Sequence, residues 1–409
     1  MSANVDIRLL FATRVVRMFA YGLLAVILAL YLAQAGLSDA EIGLLLTLTL
    51  LGDTLISLWI TTRADRAGRK RMLLIGAALM VFAGILFAAT RNFYLLLLAA
   101  TIGVISPSGN EVGPFLAIEQ SALAQTLPGE RRTQVFAWYQ LAGSLATALG
   151  SLVGGGLAQT LQSGGATPLA SYRVSILAYA ALGLLLAAVF SFLSPRVETS
   201  VSEDTMTQAN VLGLGRSSKI VVKLAALFSL DAFAGGFVVQ TIVAYWFYVR
   251  YRVSPATLGA IFFGANIFAG ISALSAAWIA RKIGLLNTMV VTHAPSNILL
   301  ILVPLMPNLP LAITMLLLRF SISQMDVPTR QSYTLAVVSP DERSSAAGVT
   351  NIARTLGASL APVFSAPLIS LPALSGAPFI ISGALKLIYD FILYRSFKTI
   401  KPAEERENG

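Results

Sequence analysis

Apolar runs long enough to cross a bilayer recur along the whole of this 409-residue chain. A membrane-spanning helix needs about 20 predominantly apolar residues. Only 12% of the residues are charged, whereas soluble domains are about 25% charged. The sequence therefore predicts an all-α membrane protein of twelve spans. The predicted spans are residues 8–33, 40–60, 72–90, 93–122, 134–160, 173–193, 220–249, 256–280, 287–306, 311–338, 345–370 and 377–395.

The loops between these spans carry capping signals and an asymmetric charge distribution. Ser38 and Glu41 form a capping-box pattern before the second span, and Ser254-Pro255 opens the eighth. Alternate loops hold most of the basic residues, whereas the other set holds only Arg91, Arg173, Arg250 and Arg252. The positive-inside rule then predicts that both termini are cytoplasmic, in a plasma (inner) membrane. The net charge of +10 is explained by these loops, so no nucleic-acid partner is expected.

The two halves of the chain resemble each other in sequence. Residues of the first span recur 214 positions later, and glycines, prolines and loop residues follow in the same order. The matched pairs are Phe19 and Phe233, Gly22 and Gly236, Tyr31 and Tyr245, Gly68 and Gly284, and Pro114 and Pro328. We therefore predict bundles at 1–193 and 220–395, a cytoplasmic central loop at 194–219 and a cytoplasmic tail at 396–409. Repeats of this kind allow alternating access to a site between the bundles.

The loop after the second span reads Asp65-Arg66-Ala67-Gly68-Arg69-Lys70-Arg71. It resembles motif A of the major facilitator superfamily, G-x-x-x-D-R-x-G-R-K/R, although Thr61 replaces the first glycine. The resemblance implies twelve helices in two six-helix bundles. It also implies that Asp65, together with Arg66, Gly68 and Arg69, braces a cytoplasmic gate.

The fifth predicted span carries Gly143 and the run Gly150-Ser-Leu-Val-Gly154-Gly155. This run resembles the antiporter motif C, G-P-x-x-G-G, with Ser151 in place of the proline. The overall likeness is to bacterial drug/proton antiporters. Small residues at these positions also fit close helix packing, which is the role we expect for each glycine.

Six basic and six acidic residues of the predicted spans are the candidates for charges inside the membrane. They are Arg14, Arg17, Arg319, Arg330, Arg354 and Lys386, and Asp53, Glu111, Glu119, Asp231, Asp326 and Asp390. Each would cost about 2.5–3.5 kcal/mol at mid-bilayer, so we expect pairing or contact with water. Arg14, Glu119 and Asp390 are also close enough to the predicted span ends to lie near the interface. Static ion pairs that fix helix packing are the alternative to a transport role.

Membership of the superfamily would place spans one, four, seven and ten around a central cavity. Glu111 lies in the helix-breaking stretch Ser106–Pro114, and Asp326 lies two residues before Pro328. These two acids, followed by Asp53 and Asp231, are the predicted proton-coupling residues. The predicted substrate-cavity residues are Arg17, Asn110, Gln240, Tyr245, Arg319, Gln324, Arg330, Asn351 and Arg354. Lys386 and Asp390, four residues apart, are predicted to pair with each other.

Three functions follow from these patterns. The first is proton-coupled export of a small organic or amphiphilic solute, with the proton gradient as energy source and no cofactor. The second is an importer or uniporter of a charged metabolite, whose carboxylate or phosphate the arginines would hold. A receptor, sensor or metal transporter is the remote alternative, the last resting on Met289 and His293. The Walker A, H-E-x-x-H and elbow-placed G-x-S-x-G motifs do not occur, so no enzyme is expected. We expect a monomer in the bilayer.

Overall fold

A computed structural model of the chain describes residues 3–111, 113–126, 129–198, 215–339 and 342–399. Every regular element in these ranges is a helix. The helices are α1 Ala3–Gln34, α2 Asp39–Ala67, α3 Arg69–Ala89, α4 Phe93–Ile102, α5 Phe115–Thr126, α6 Gly129–Ser163, α7 Pro168–Ser191, α8 Ser218–Gly236, α9 Gln240–Tyr251, α10 Pro255–Ile283, α11 Leu285–Leu302, α12 Leu309–Ser323, α13 Asp326–Ala336, α14 Arg343–Leu360, α15 Pro362–Ile369 and α16 Ala377–Phe397. Short 3-10 turns cover Pro195–Val197 and Val303–Leu305.

Ten helical segments within the described residues are long and apolar enough to cross a membrane. They match ten of the predicted spans, with α8–α9 and α14–α15 each forming one segment. The two remaining predicted spans, 93–122 and 311–338, are each divided into two shorter helices. The prediction of twelve spans therefore agrees with the structure when α4–α5 and α12–α13 each count as one interrupted span.

Both interruptions fall where the sequence predicted a break. Between α4 and α5 the backbone includes Gly109 and Gly113 at φ values of +67° and +81°, a region that other residues rarely adopt. Between α12 and α13 the Gln324 amide donates to the Ser272 hydroxyl at 3.2 Å. Pro328 lies in the first turn of α13, where a missing N–H costs little. Backbone groups are thus freed from helical bonding at two related places.

The predicted caps are confirmed. The Ser38 hydroxyl accepts from the Glu41 amide at 3.3 Å, and the Glu41 carboxylate accepts from the Ser38 amide at 2.8 Å. The Ser254 hydroxyl accepts from the Thr257 amide at 3.2 Å. Gly68 and Gly284, paired by the repeat, both join two helices at positive φ, +99° and +85°. The repeat therefore extends to backbone conformation.

The chain divides into two compact units. The N-terminal unit comprises Met1–Asp204 with Val239–Asn266, and the C-terminal unit comprises Thr205–Val238 with Ile267–Gly409. In the N-terminal unit α1 packs on α6, α7 and α9. In the C-terminal unit α8 packs on α14 and α16, and α11 packs on α12, α13 and α16.

The glycines of the motif C-like run set the spacing of α1 and α6. A Cβ added at Gly150 would lie 2.0 Å from the Phe19 carbonyl oxygen, and one at Gly154 would lie 2.4 Å from the Leu23 carbonyl oxygen. Both distances are far inside van der Waals contact. These glycines therefore serve close helix packing, as predicted.

Two charged clusters as candidate transport sites

The first cluster, in the N-terminal unit, is built around Arg17 on α1. This guanidinium is fully buried. Its Nη1 and Nη2 lie 2.8 and 2.7 Å from the two oxygens of Glu119, and its Nε lies 2.8 Å from Glu111 Oε1. One arginine therefore bridges two carboxylates, one of them in the bidentate geometry that guanidinium favours.

Glu119, on α5, is the static member of this cluster. Besides Arg17, it accepts from the Thr13 hydroxyl at 2.8 Å and from the Tyr139 hydroxyl. Its exposure is 0%, so protein surrounds it on every side, and its expected position near the membrane interface stays a prediction. A carboxylate with four donors and no access to water has little capacity for another partner, and we assign it a packing role.

Glu111 has different surroundings from Glu119. It lies between α4 and α5, outside regular helix, and its side chain is 14% exposed. Arg14 contacts Glu111 Oε2, and Arg17 contacts Oε1. Arg14 is itself 1% exposed, and its expected position near the membrane interface stays a prediction. Glu111 is therefore the most accessible of the six predicted intramembrane acids, and it is held by two cations.

Gly143 on α6 makes room for Arg14. A Cβ at that position would lie 2.6 Å from the Arg14 Nε. The Arg14 Nη2 also donates to the Gln140 side chain at 3.0 Å. The motif C-like helix thus contributes to this cluster as well as to packing.

Asp53 on α2 lies near the same break but has neutral partners. It accepts a backbone hydrogen bond from Gly113, and the Ser57 hydroxyl is 3.5 Å from its Oδ1. The side chain is buried at 7% exposure. It is placed beside the first cluster without an ion-pair partner in the described part of the chain.

The second cluster, in the C-terminal unit, is built around Asp231 on α8. Its Oδ1 lies 2.5 Å from the Lys386 Nζ, and its Oδ2 lies 3.0 Å from the Arg354 Nη1 and 3.4 Å from the Arg330 Nη1. These cations come from α16, α14 and α13. A single buried carboxylate therefore faces three cations from three helices.

Two further charges extend this second cluster. Arg330 Nη1 is closer to Asp326 Oδ2, at 2.5 Å, than to Asp231. Arg319 on α12 interacts electrostatically with Asp326 and Asp231, but its buried Nε has no hydrogen-bond partner among the described residues. The structure thus brings together four of the predicted site residues, Asp231, Asp326, Arg330 and Arg354, with Arg319 beside them.

His293 on α11 belongs to the second cluster, although sequence reasoning did not place it there. Its Nδ1 is 2.8 Å from Asp390 Oδ1, and its Nε2 is 3.6 Å from Asp231 Oδ1. Lys386 bonds to Asp231, so the predicted local pairing of Lys386 with Asp390 is wrong. The signal that could have identified His293 was its position, as the one histidine of the chain, inside a predicted span.

Met289, the other residue of the metal alternative, is buried in an apolar cluster with Leu224 and Phe228. No group of three or more His, Cys, Asp or Glu side chains suited to a metal occurs among the described residues.

The central residues of the two clusters have opposite charge and stand at matched positions of the repeat. Arg17 and Asp231 occupy equivalent places in the two halves, and each is surrounded by side chains of the other sign. In the first cluster two arginines, Arg14 and Arg17, face two glutamates, which leaves no net charge. The second cluster has four cations, Arg319, Arg330, Arg354 and Lys386, and three aspartates, Asp231, Asp326 and Asp390. It therefore carries one excess positive charge when His293 is neutral.

The remaining predicted cavity residues lie outside both clusters. Gln240 Nε2 donates to the Ser151 hydroxyl at 3.3 Å, and the Tyr245 hydroxyl donates to Asp39 Oδ1 at 2.8 Å. Asn110 and Asn351 are exposed. The Gln324 backbone bonds to Ser272, as described above. Their assignment to a substrate cavity stays a prediction.

The motif A-like loop is fastened to the segment that follows α7. The Arg69 and Lys70 amides donate to the two Glu198 oxygens at 2.6 and 3.1 Å, and the Arg69 Nη1 donates to the Gln125 side chain at 2.7 Å. Arg66 is exposed, and the Asp65 side chain lies outside the described part of the structure. The gate role of this loop stays a prediction.

Comparison with known proteins gives a consistent result. Residues 10–362 match the model of the Major Facilitator Superfamily. An uncharacterised membrane protein of Saccharomyces cerevisiae (strain ATCC 204508 / S288c), YJR124C, is 32% identical over 420 residues, covering 96% of this chain and 94% of the yeast protein. The quinolone resistance protein NorA of Staphylococcus aureus (strain MRSA252) is 25% identical over 254 residues, covering 60% of each chain.

Among solved structures, a variant of the nucleoside transporter NupG has a TM-score of 0.78 at 14% identity and covers 96% of this chain and 100% of that chain. This likeness shows the fold. The members of this family are secondary transporters rather than enzymes. They are embedded in the membrane and transport small molecules. With twelve spans, two of them interrupted, and a family match over most of its length, the chain belongs to the major facilitator superfamily.

Proposed function

We propose that this protein is a proton-coupled transporter that exports a small organic solute, with Glu111 as the carboxylate that exchanges protons. The observation that carries the proposal is the contrast between Glu111 and Glu119. Glu119 is fully buried and held by four donors, whereas Glu111 is 14% exposed and lies in the interrupted span. Glu111 therefore combines access to water with charged partners that respond to its protonation.

The physical consequence of protonating Glu111 follows from its contacts. A neutral carboxyl no longer balances Arg14 and Arg17, and the first cluster then carries one excess positive charge. Arg17 retains Glu119, whereas Arg14 retains two neutral partners, the Gln140 side chain and the face of the Tyr139 ring. Arg14 is therefore the group released by the proton, and its release gives the cluster two electrostatic states.

Export is the direction we favour, on the name of one relative. A quinolone resistance protein resembles this chain over 60% of its length, and resistance fits removal of an aromatic drug from the cell. The degenerate motif C at Gly150–Gly155 supports the antiporter form of coupling. An organic solute of amphiphilic character is the corresponding substrate class.

The test is uptake of a fluorescent fluoroquinolone into proteoliposomes under an imposed pH gradient, with a pH-sensitive dye inside. Wild type is expected to accumulate the drug while protons leave, and to stop when a protonophore collapses the gradient. Glu111→Gln is expected to abolish drug movement driven by the gradient. Drug flux that is unchanged by the protonophore would exclude proton coupling.

Glu41→Gln provides the matched control for that variant. It neutralises a carboxylate that lies outside both clusters and outside the motif A-like loop, where its described partner is Ser38. Loss of gradient-driven flux in Glu41→Gln as well as in Glu111→Gln would show that the assay reports folding rather than coupling.

A second candidate is an importer or uniporter of an anionic metabolite. The excess positive charge of the second cluster favours it, because four cations face three carboxylates there. Arg354→Gln is expected to abolish anion flux in this case while leaving folded protein in the membrane. Flux of a neutral solute that needs Glu111 but not Arg354 favours the first candidate.

A plasma-membrane location with both termini cytoplasmic, and a monomeric state, complete the proposal. Because the chain has no cysteine, single cysteines at Ser396 and Ser163 can report which side each position faces. Labelling of Ser396→Cys by an impermeant maleimide in intact cells would contradict the orientation. A protein mass in detergent larger than that of one chain would contradict the monomeric state.

A further inference from the structure

His293 lies between the carboxylates of Asp390 and Asp231. His293 Nδ1 lies 2.8 Å from Asp390 Oδ1, and Asn297 Nδ2 donates to the other Asp390 oxygen at 3.0 Å. An ionised carboxylate only accepts, so the Nδ1 carries the ring proton in neutral His293. Its Nε2 then presents a lone pair to Asp231 Oδ1 at 3.6 Å. Two acceptors therefore face each other across a gap that a proton on Nε2 would close.

We propose that the second cluster binds the carboxylate or sulfonate group of a small organic anion on Arg354, together with a proton on His293. Protonation gives Asp231 a new donor and raises the net charge of the cluster from one to two. The added positive charge at Asp231 Oδ1 then weakens the attraction between Asp231 Oδ2 and Arg354. The guanidinium becomes available to an external anion.

Arg354 is the cation placed to receive that anion. Its side chain is 28% exposed, whereas those of Arg330 and Lys386 are 7% and 8% exposed. It lies within the apolar segment Ser345–Ile369, where exposure of a charge to hydrocarbon is costly, so its exposed part faces water. A planar guanidinium with free N–H groups suits a carboxylate or sulfonate.

The other titratable and charged groups near His293 lie on α13 and α16. Lys386 and Tyr389 lie on α16 with Asp390, and the Tyr389 ring packs edge-on at 5.8 Å from the imidazole centroid. Arg330 on α13 contacts Asp231 from the other oxygen but is held more closely by Asp326. Among side-chain types, unperturbed imidazole is the one whose charge changes between about pH 5 and 8.

The single histidine of the chain makes a direct test possible. Protein purified on a tag without histidine and labelled with ¹³C and ¹⁵N only in histidine gives one imidazole signal set, whose shifts report protonation and tautomer. Benzoate and benzenesulfonate are the anionic probes, and benzamide is the neutral isostere of benzoate. Ionic strength is held constant with chloride.

The expected result is that benzoate and benzenesulfonate keep the imidazole protonated to higher pH, whereas benzamide does not. By reciprocity, benzoate affinity measured by calorimetry rises about tenfold between about pH 8 and pH 5.5. His293→Gln keeps benzoate binding but loses its pH dependence. Arg354→Gln keeps the imidazole titration but loses the effect of both anions.

Arg343→Gln is the matched control, because Arg343 is an exposed cation at the start of the same helix. It is expected to behave as wild type. The proposal is overturned if neither anion changes the imidazole signal, or if Arg354→Gln responds to benzoate as wild type does.

This inference rests on the second candidate function, in which the transported substrate is an anion. Glu111→Gln is expected to stop gradient-driven flux and to leave the imidazole response intact. An intact response with no flux in wild type would overturn the transport proposal alone. Normal flux with no response to either anion would overturn the anion site alone.

Discussion

Asp231→Asn is the substitution that most sharply tests the charge balance of the second cluster. It replaces a buried carboxylate with a neutral amide and leaves Lys386, Arg330 and Arg354 facing one another. At an effective dielectric of about 20, the three ion pairs contribute roughly 5–7 kcal/mol each in gross Coulomb energy at their observed distances of 2.5, 3.0 and 3.4 Å. Desolvation of the charges offsets most of this gain.

The net effect is the cost of leaving buried charge uncompensated. Removing one partner of a buried ion pair costs about 3–5 kcal/mol, and here three cations lose the same partner. We expect Asp231→Asn to lower the free energy of unfolding by about 4–5 kcal/mol. The measurement is reversible unfolding by SDS in mixed micelles, with apparent melting temperature as a second readout.

A double variant separates charge balance from lost packing. Asp231→Asn combined with Lys386→Met removes one charge of each sign, and we expect it to recover about 2–3 kcal/mol, because neighbouring sites couple to that extent. It also provides folded protein if the single variant yields none. Asp39→Asn is the control, since the described partner of that carboxylate is the neutral Tyr245 hydroxyl. An Asp231→Asn protein within about 1 kcal/mol of wild type, or a double variant no more stable than the single one, would refute the reasoning.

Three further predictions concern packing, backbone and pH. Gly150→Ala is expected to lower the free energy of unfolding by about 3 kcal/mol, because its Cβ would meet a backbone carbonyl at 2.0 Å. Gly156→Ala, with nothing within 4 Å, is expected to change it by under about 0.5 kcal/mol, and equal SDS-unfolding results would contradict this. Gly68→Ala is expected to cost about 1–3 kcal/mol in the same assay, because of its φ of +99°, and an unchanged stability would show that the loop rearranges freely. Hydrogen bonds from Ser217 and the neighbouring amides lower the pKa of Glu342. A carboxylate whose pKa is lowered by folding stabilises the folded state at pH values above its unfolded pKa, and this stabilisation is lost as the pH falls. The amides of Gly215 and Ser217, with exchange rates corrected for intrinsic rate, should therefore lose protection from hydrogen exchange below about pH 4.5. Glu342→Gln should have weaker protection that no longer depends on pH, and a wild-type profile in that variant would refute the clamp.

The spans, their caps and the repeat could be predicted because they are local properties. A helix that crosses a bilayer needs a run of apolar residues, and Ser38 with Glu41 caps the second helix whatever surrounds it. A backbone φ near +90° favours glycine, so the repeat of Gly68 at Gly284 predicts the same backbone conformation at both positions. Prolines and glycines likewise predicted the breaks near Glu111 and Asp326.

Partners within the clusters could not be predicted in the same way. Lys386 and Asp390 are four apart and share a helix face, yet Lys386 bonds to Asp231 and Asp390 to His293. Local spacing places a charge on a face, but the identity of its partner depends on which other helix packs there. The full burial of Glu119 could not be predicted for the same reason, because its partners lie on α1 and α6 rather than on its own helix.

The sequence by itself determined that the chain spans a membrane, that its halves repeat, and that twelve charges must be paired or wet. Hydrocarbon limits the length of each span and the cost of each charge residue by residue, so both can be read from the sequence. The repeat can be read there too, because it is a likeness between two stretches of the chain. Only the tertiary structure decided that the charges form two clusters, one centred on an arginine and one on an aspartate. The first is neutral, and the second carries one excess positive charge. That distinction depends on distances of 2.5–3.6 Å between side chains on different helices, which no periodicity along the chain encodes.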